Sequence, residues 1–244
     1  MINQTLASIA TGNPKAVHVF EKYNLDFCCK GNKSLADACA EKGLASDKVI
    51  REIESASESH NGEINRFAQM SVGELIDHIV KVHHQYVKES APWISAHLAK
   101  VARKHGSTYP YLFKVEELFG ELQIEFMDHM KKEELFLFPG IRSLENRNES
   151  DNDTTAHFSN FQGPIQVMEL EHVKASEFME KIKELTHQFE APAGACTTFQ
   201  VTLEELKEFE SDMHLHVHLE NNILFKKAQA LAASGQSSSN SCSL

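Results

Sequence analysis

Beyond residue 70 the chain runs in long stretches where apolar residues return every three or four positions, separated by short polar or Gly/Pro-containing breaks. That period presents one face of an α-helix, so the pattern predicts four long helices, from about 71 to 103, 110 to 141, 164 to 188 and 198 to 231. Ser71, Pro164 and Thr197 or Thr198 stand where helix starts need a cap or a first-turn proline. His105-Gly106 closes the first stretch, SLENRNESDNDTTAHFSNFQG separates the second from the third, and APAGA the third from the fourth. No strand pattern competes. Four antiparallel helices of this length predict an all-α, up-down four-helix bundle over 66–231.

Ahead of the bundle the pieces are shorter. Asn13-Pro14 precedes KAVHVFEKY, Ser34 precedes LADACAEKG, Ser46 precedes DKVIREIES, and Gly43 closes the second of these. They predict a small helical domain over 1–58, joined to the bundle by the polar segment SESHNGEIN. At the other end, 232–244 reads as a disordered Ser-rich tail.

One stretch breaks the simple pattern. HLHVHLENN at 214–222 alternates like a strand, but helical periodicity extends on both sides of it. At about 100° per residue, Leu206, Phe209, Met213, His216, Glu220, Ile223 and Lys227 share one face. His214 and His218 then point the other way, among Lys207, Glu210, Ser211 and Asn221. The second helix repeats the device along Val115, Leu118, Leu122, Phe126, His129, Glu133 and Phe136, with Glu134 off the line. The third places His172 between Met168 and Ala175. In the first, His84 lies on the seam Ile76, Val80, Val87, Ala91, Ile94 and Leu98, while a rival seam through Ile79, Tyr86 and Ser90 carries His83.

Composition narrows the classes. A net charge of −11 argues against nucleic acid and anionic membrane surfaces as partners, since both need a basic face. No stretch approaches the roughly 18 apolar residues of a membrane span, and MINQTLASIA lacks the basic segment and long apolar core of a signal peptide. The five cysteines, at 28, 29, 39, 196 and 242, make no disulfide framework, so a reducing, cytoplasmic setting is expected.

Fourteen histidines in an acidic chain are the remaining anomaly. A single His on an apolar seam is ordinarily a hydrogen-bonded core residue. Two carboxylates on such seams are another matter, because each costs several kcal/mol to bury unless a cation offsets its charge, and the seams carry no Lys or Arg at that level. Metal cations account for all six residues together. Two Glu that can bridge and four terminal imidazoles suit a pair of iron or manganese ions better than a single zinc.

HMKKEE at 129–134, VMELEH at 167–172 and HVHLENNILF at 216–225, with LDFCCKGNKSLADA near the N-terminus and ACTTF before the last helix, resemble the repair-of-iron-centres family. Those proteins join a hemerythrin-like domain to a small leading domain with a vicinal cysteine pair, and the resemblance covers roughly residues 3–230. It implies His84, rather than His83, together with His129, His172 and His216 as ligands, and Glu133 and Glu220 as bridges between two irons, which an oxo group can also link. It implies repair of iron-sulfur clusters damaged by nitric oxide or oxidative stress, through supply of iron to damaged or apo iron-sulfur proteins. The chain departs from the family in reading CCKG for CCGG, in a lengthened 142–163 segment, and in Lys226 where a proline is common.

Cys28 and Cys29 close a disulfide with each other only through a strained ring, so free thiols are expected. A turn with Lys30 and Gly31 would expose them and favour thiolate, which suits iron transfer or electron relay, whereas Cys39 reads as core beside Leu35 and Ala38. Other classes compete with the repair reading: a carrier or sensor of dioxygen or nitric oxide, and a di-iron enzyme that reduces nitric oxide. A ferritin-type oxidase would use Glu-x-x-His pairs, which Glu169 and His172 form, but the second and fourth helices carry His-x-x-x-Glu. A monomer or homodimer is expected.

Overall fold

The computed structural model describes residues 1–13, 15–57, 66–145 and 162–239, with side chains placed throughout except at 57 and 234–239. The expected linker and most of the lengthened segment lie outside the described residues, as do Pro14 and residues 240–244. Among the described residues the structure is all-α, with one isolated bridge between Thr5 and Ser34. The chain divides into two compact units, Met1–Asp77 with Gly140–Gln162 and His214–Leu244, and His78–Pro139 with Gly163–Met213.

The first unit opens on four short helices, α1 (Leu6–Gly12), α2 (Ala16–Lys22), α3 (Leu35–Glu41) and α4 (Ser46–Ser57). The Thr5 and Ser34 side chains accept from the Ser8 and Asp37 amides, so each satisfies an otherwise orphaned donor at a helix start. Gly43 takes φ +64° after α3, a left-handed conformation that closes a helix cheaply only with glycine. Leu6, Ile9, Phe20, Leu35 and Ile53 on the helices are buried, with Phe27 from the turn between α2 and α3. The start signals at Asn13, Ser34 and Ser46 locate α2, α3 and α4; α1 carried none that the periodicity singled out.

This unit also holds α5 (Arg66–Gln69), most of α6 (Val72–His78) and the greater part of α9 (Phe138–Glu145). Ser71 and Glu74 form a reciprocal capping box, each side chain accepting from the other's amide. The Glu145 carboxylate takes the next two amides, Val72 at 2.9 Å and Gly73 at 2.8 Å. The last helix, α12 (Phe225–Ser239), runs on through residues expected to be a disordered tail from 232. AQALAAS is rich in Ala and Leu, and that propensity carries the helix past the last seam position.

The second unit is built on α7 (Gln85–His105), α8 (Tyr111–Lys132), most of α10 (Gln162–Leu185) and the N-terminal two-thirds of α11 (Thr197–Leu219). Side chains stitch each helix to two neighbours. Ser95 donates to Gln123 between α7 and α8, Lys174 to Glu125 between α8 and α10, and Lys183 to Glu210 between α10 and α11. His97 with Glu205, and Tyr86 with Phe209, close the ring from α7 to α11. Tyr111 meets His187 while His129 meets His172, so α8 and α10 run antiparallel. Phe119, Leu122, Met179, Leu206 and Phe209 fill the interior.

Among the described residues, uniform helical spacing fails at three places. π-helical turns occupy Ile79–His84, Glu133–Leu137 and Glu220–Leu224. A π turn adds an extra residue per hydrogen-bonded loop, which shifts the phase of the side chains around it. Phe136, expected in the core, is therefore 75% exposed, while Leu137 and Phe138 are buried. In the same way Leu224 and Ala228 turn inward where the seam pointed to Lys227, and Ile79 is fully buried where it pointed to Val80.

Candidate metal centre

Each π turn begins or ends on a residue whose chemistry the seams had singled out. In the second unit His84 ends the first turn, Glu133 opens the second, His129 sits one helical turn before Glu133, and α10 brings His172. All four are buried, with Glu133 at 0% exposure. The Glu133 oxygens lie 3.2 Å from His129 Nε2 and 3.5 Å from His84 Nε2, yet neither oxygen accepts a hydrogen bond. A carboxylate so placed is several kcal/mol short of its solvation in water. His172 Nε2 stands 2.8 Å from His129 Nε2, and two ring nitrogens at that distance need a proton or a cation between them. One ligand atom each from His129, Glu133 and His172 lies within 4.8 Å of the others. Imidazole and carboxylate donors converging on one buried point fit a borderline divalent metal ion.

The far sides of the imidazoles are held by carboxylates the seams had left out. Glu134 Oε1 accepts from His84 Nδ1 at 2.7 Å, and Glu171 Oε2 from His129 Nδ1 at 2.8 Å. Each carboxylate also accepts from a lysine, Lys88 at 2.6 Å and Lys132 at 2.5 Å. Partial burial pushes both carboxyls up, but the hydrogen bonds from Lys88 and His84, and from Lys132 and His129, outweigh it and hold both below the usual carboxylate range. A carboxylate on Nδ1 fixes the tautomer that leaves Nε2 with its lone pair directed inward, and makes that nitrogen a stronger donor to a metal. The signals were doublets, Glu133-Glu134 and Glu171-His172, in which one residue faces inward and its neighbour supports the adjoining helix.

The remaining two ligand candidates, His216 and Glu220, belong to the first unit. His216 Nε2 lies 3.0 Å from Glu220 Oε1, both fully buried, one turn apart as the His-x-x-x-Glu spacing requires. The 214–222 stretch departs from expectation on its other face. His218, expected among polar residues, is 2% exposed, its ring 5.5 Å from that of Phe27. Its Nδ1 lies 3.2 Å from Asn222 Nδ2 and its Nε2 3.4 Å from Thr11 Oγ1, and the ring also bonds the Phe27 backbone. Burial drives its pKa down to about 4. Helical phase alone could not show that α1 and the Phe27 segment cover this face.

Cys28 also differs from expectation. It is buried, not exposed, and only Cys29 is half-buried. The Cys29 thiol and burial raise the Cys28 thiol well above its ordinary pKa, so Lys30 does not make it a thiolate. Cys39 is buried core, as its neighbours suggested. His83, the rival of His84, is also buried, but its Nδ1 pairs with Asp212 at 2.8 Å, outside the group around Glu133. His105 meets Cys196 Sγ at 3.1 Å and lies against Phe199, well along α7 from His84.

Buried His-x-x-x-Glu pairs in an all-α chain are a mark of the hemerythrin class, and residues 75–228 match the hemerythrin HHE cation binding domain. Residues 2–57 match the ScdA_N domain, a domain of unknown function. The chain is 31% identical over 222 residues to the iron-sulfur cluster repair protein ScdA of Staphylococcus haemolyticus, covering 91% of this chain and 96% of that protein. It is 34% identical over 228 residues to the iron-sulfur cluster repair protein YtfE of Escherichia coli O81, covering 93% and 97%. The chain belongs to the hemerythrin-like repair-of-iron-centres family that includes ScdA and YtfE.

Proposed function

We propose that the chain is a di-iron protein that restores iron-sulfur clusters damaged by nitric oxide or oxidants, with iron leaving the protein as cargo for the damaged or apo cluster protein. His84, His129, His172 and His216 would hold the two irons terminally, and Glu133 and Glu220 would bridge them. The carrying observation is Glu133, a fully buried carboxylate whose two oxygens accept no hydrogen bond although imidazole nitrogens flank both. The names of the relatives support the cluster-repair reading.

Iron so bound would supply Lewis acidity toward a small ligand such as nitric oxide or dioxygen. The chain's own part is to orient the donors. Glu134 and Glu171 keep the His84 and His129 rings in one tautomer, and the surrounding apolar residues exclude bulk water. Imidazole and carboxylate donors hold ferrous iron less firmly than thiolate clusters do, which suits release.

Iron-loaded protein should reactivate an apo iron-sulfur enzyme under anaerobic conditions, with iron lost from the one appearing in the other. Strict retention of iron while nitric oxide or dioxygen binds reversibly would favour a carrier or sensor. Turnover of nitric oxide without iron loss would favour a reductase. We place the activity in the cytoplasm, on a monomer or homodimer; no helix among the described residues is long and apolar enough to cross a membrane.

A further inference from the structure

A second group of metal-ligating side chains stands in the first unit, in the turn between α2 and α3. A carboxylate oxygen of Asp26 and the thiol sulfurs of Cys28 and Cys29 all lie within 4.8 Å of one another. Cys28 Sγ is 3.9 Å from Cys29 Sγ and 3.3 Å from Asp26 Oδ1.

The backbone beneath them is fixed from several directions. Asp26 Oδ1 accepts from the amides of Cys28 at 3.2 Å and Cys29 at 2.9 Å, closing an Asx-type turn under the two thiols. Asn222 Nδ2 reaches the Cys28 carbonyl at 3.1 Å and the Phe27 carbonyl at 3.4 Å. Gly31 approaches so closely that a Cβ there would stand 2.2 Å from the Phe27 carbonyl oxygen and 2.8 Å from Ala7 Cβ. The three donors are thus held together before any ligand arrives, with Cys28 buried and Cys29 half-buried. Two sulfurs and one oxygen match a thiophilic cation. Three protein donors is also the count of sites that keep an exchangeable position, whereas structural sites close with four.

We propose that Asp26, Cys28 and Cys29 form a second metal site, which takes a thiophilic divalent cation through two thiolates and one carboxylate and leaves one position for an exchanging ligand. Binding replaces two S–H bonds with two metal–sulfur bonds and releases two protons, so it changes no oxidation state. The site shares no residue with the buried imidazole group and stands or falls separately from the reading given for that group.

Cobalt(II) is the probe, because thiolate ligation gives a near-ultraviolet charge-transfer band that imidazole and carboxylate ligation does not. Titrated anaerobically into the full chain, cobalt should develop that band to saturation at one ion per chain beyond those in the buried centre, with two protons released per ion. The double variant Cys28→Ser/Cys29→Ser should lose the band and retain iron. Asp26→Asn keeps an oxygen for the two amides and so keeps the turn, but should need about tenfold or more cobalt for half-saturation. A wild-type chain without the band, a band that survives the double variant, or an Asp26→Asn titration matching wild type would overturn the site.

Discussion

Glu134 Oε1 lies 2.7 Å from His84 Nδ1, on the side of the ring turned away from Glu133, and Lys88 holds the same oxygen from outside. The adjacent glutamates thus address one imidazole from opposite sides. Glu134→Ala should weaken metal affinity about 10- to 100-fold while leaving the number of ions at saturation unchanged. Glu171→Ala should do the same through His129. Competition with a chelator reads the affinity; an unchanged chelator midpoint in both variants would show that the outer carboxylates only decorate the surface.

The three histidines of the 214–222 stretch should separate cleanly. His216→Ala should lose iron. His214→Ala, which removes a half-buried ring 6.1 Å from Phe27, should keep it. Iron analysis of the purified variants checks both, and the reverse result would show that α11 is phased differently in solution.

His218→Ala should keep iron but lose about 2–3 kcal/mol of stability, since it opens a cavity and strips Asn222 and Thr11 of a partner. Burial holds its folded pKa at about 4, below the roughly 6.5 of an unfolded His. The unfolded chain then binds the extra proton first, so this contribution is present above about pH 6.5 and is lost as pH falls toward 4. Melting of the iron-free wild type against iron-free His218→Gln, from about pH 7.5 down to about pH 5, should show the wild type losing more.

The sequence displayed the buried His-Glu pairs because helical spacing puts His129 beside Glu133 and His216 beside Glu220, and burying such pairs in an apolar seam has few explanations. It displayed the helices for the same reason. What it hid followed from rotation and coverage. The π turns re-aim Phe136 outward and Leu137 inward, and no local composition announces the extra residue. His218 and Cys28 are buried by contacts between segments some 190 residues apart, such as Asn222 to Cys28 with a separation of 194, which periodicity cannot register.

His105 illustrates both limits. Its place at the end of α7 was legible, but Gly106 bonds to Ala102 and the imidazole engages Cys196 and Phe199 instead of the helix's last carbonyls. His105→Ala should therefore lower stability by about 1–2 kcal/mol with iron content unchanged, measured by denaturant unfolding beside metal analysis. A folded variant with half the iron would place His105 at the centre.

Bridging by Glu133 and Glu220, as proposed, would require two cations, and the count of iron per chain reads that directly. Anaerobic reconstitution with ferrous iron, removal of loose metal and elemental analysis against quantified protein should give two irons per chain, falling to one or none in Glu133→Ala. One iron per wild-type chain at saturation, or zinc as the sole metal retained, would contradict it.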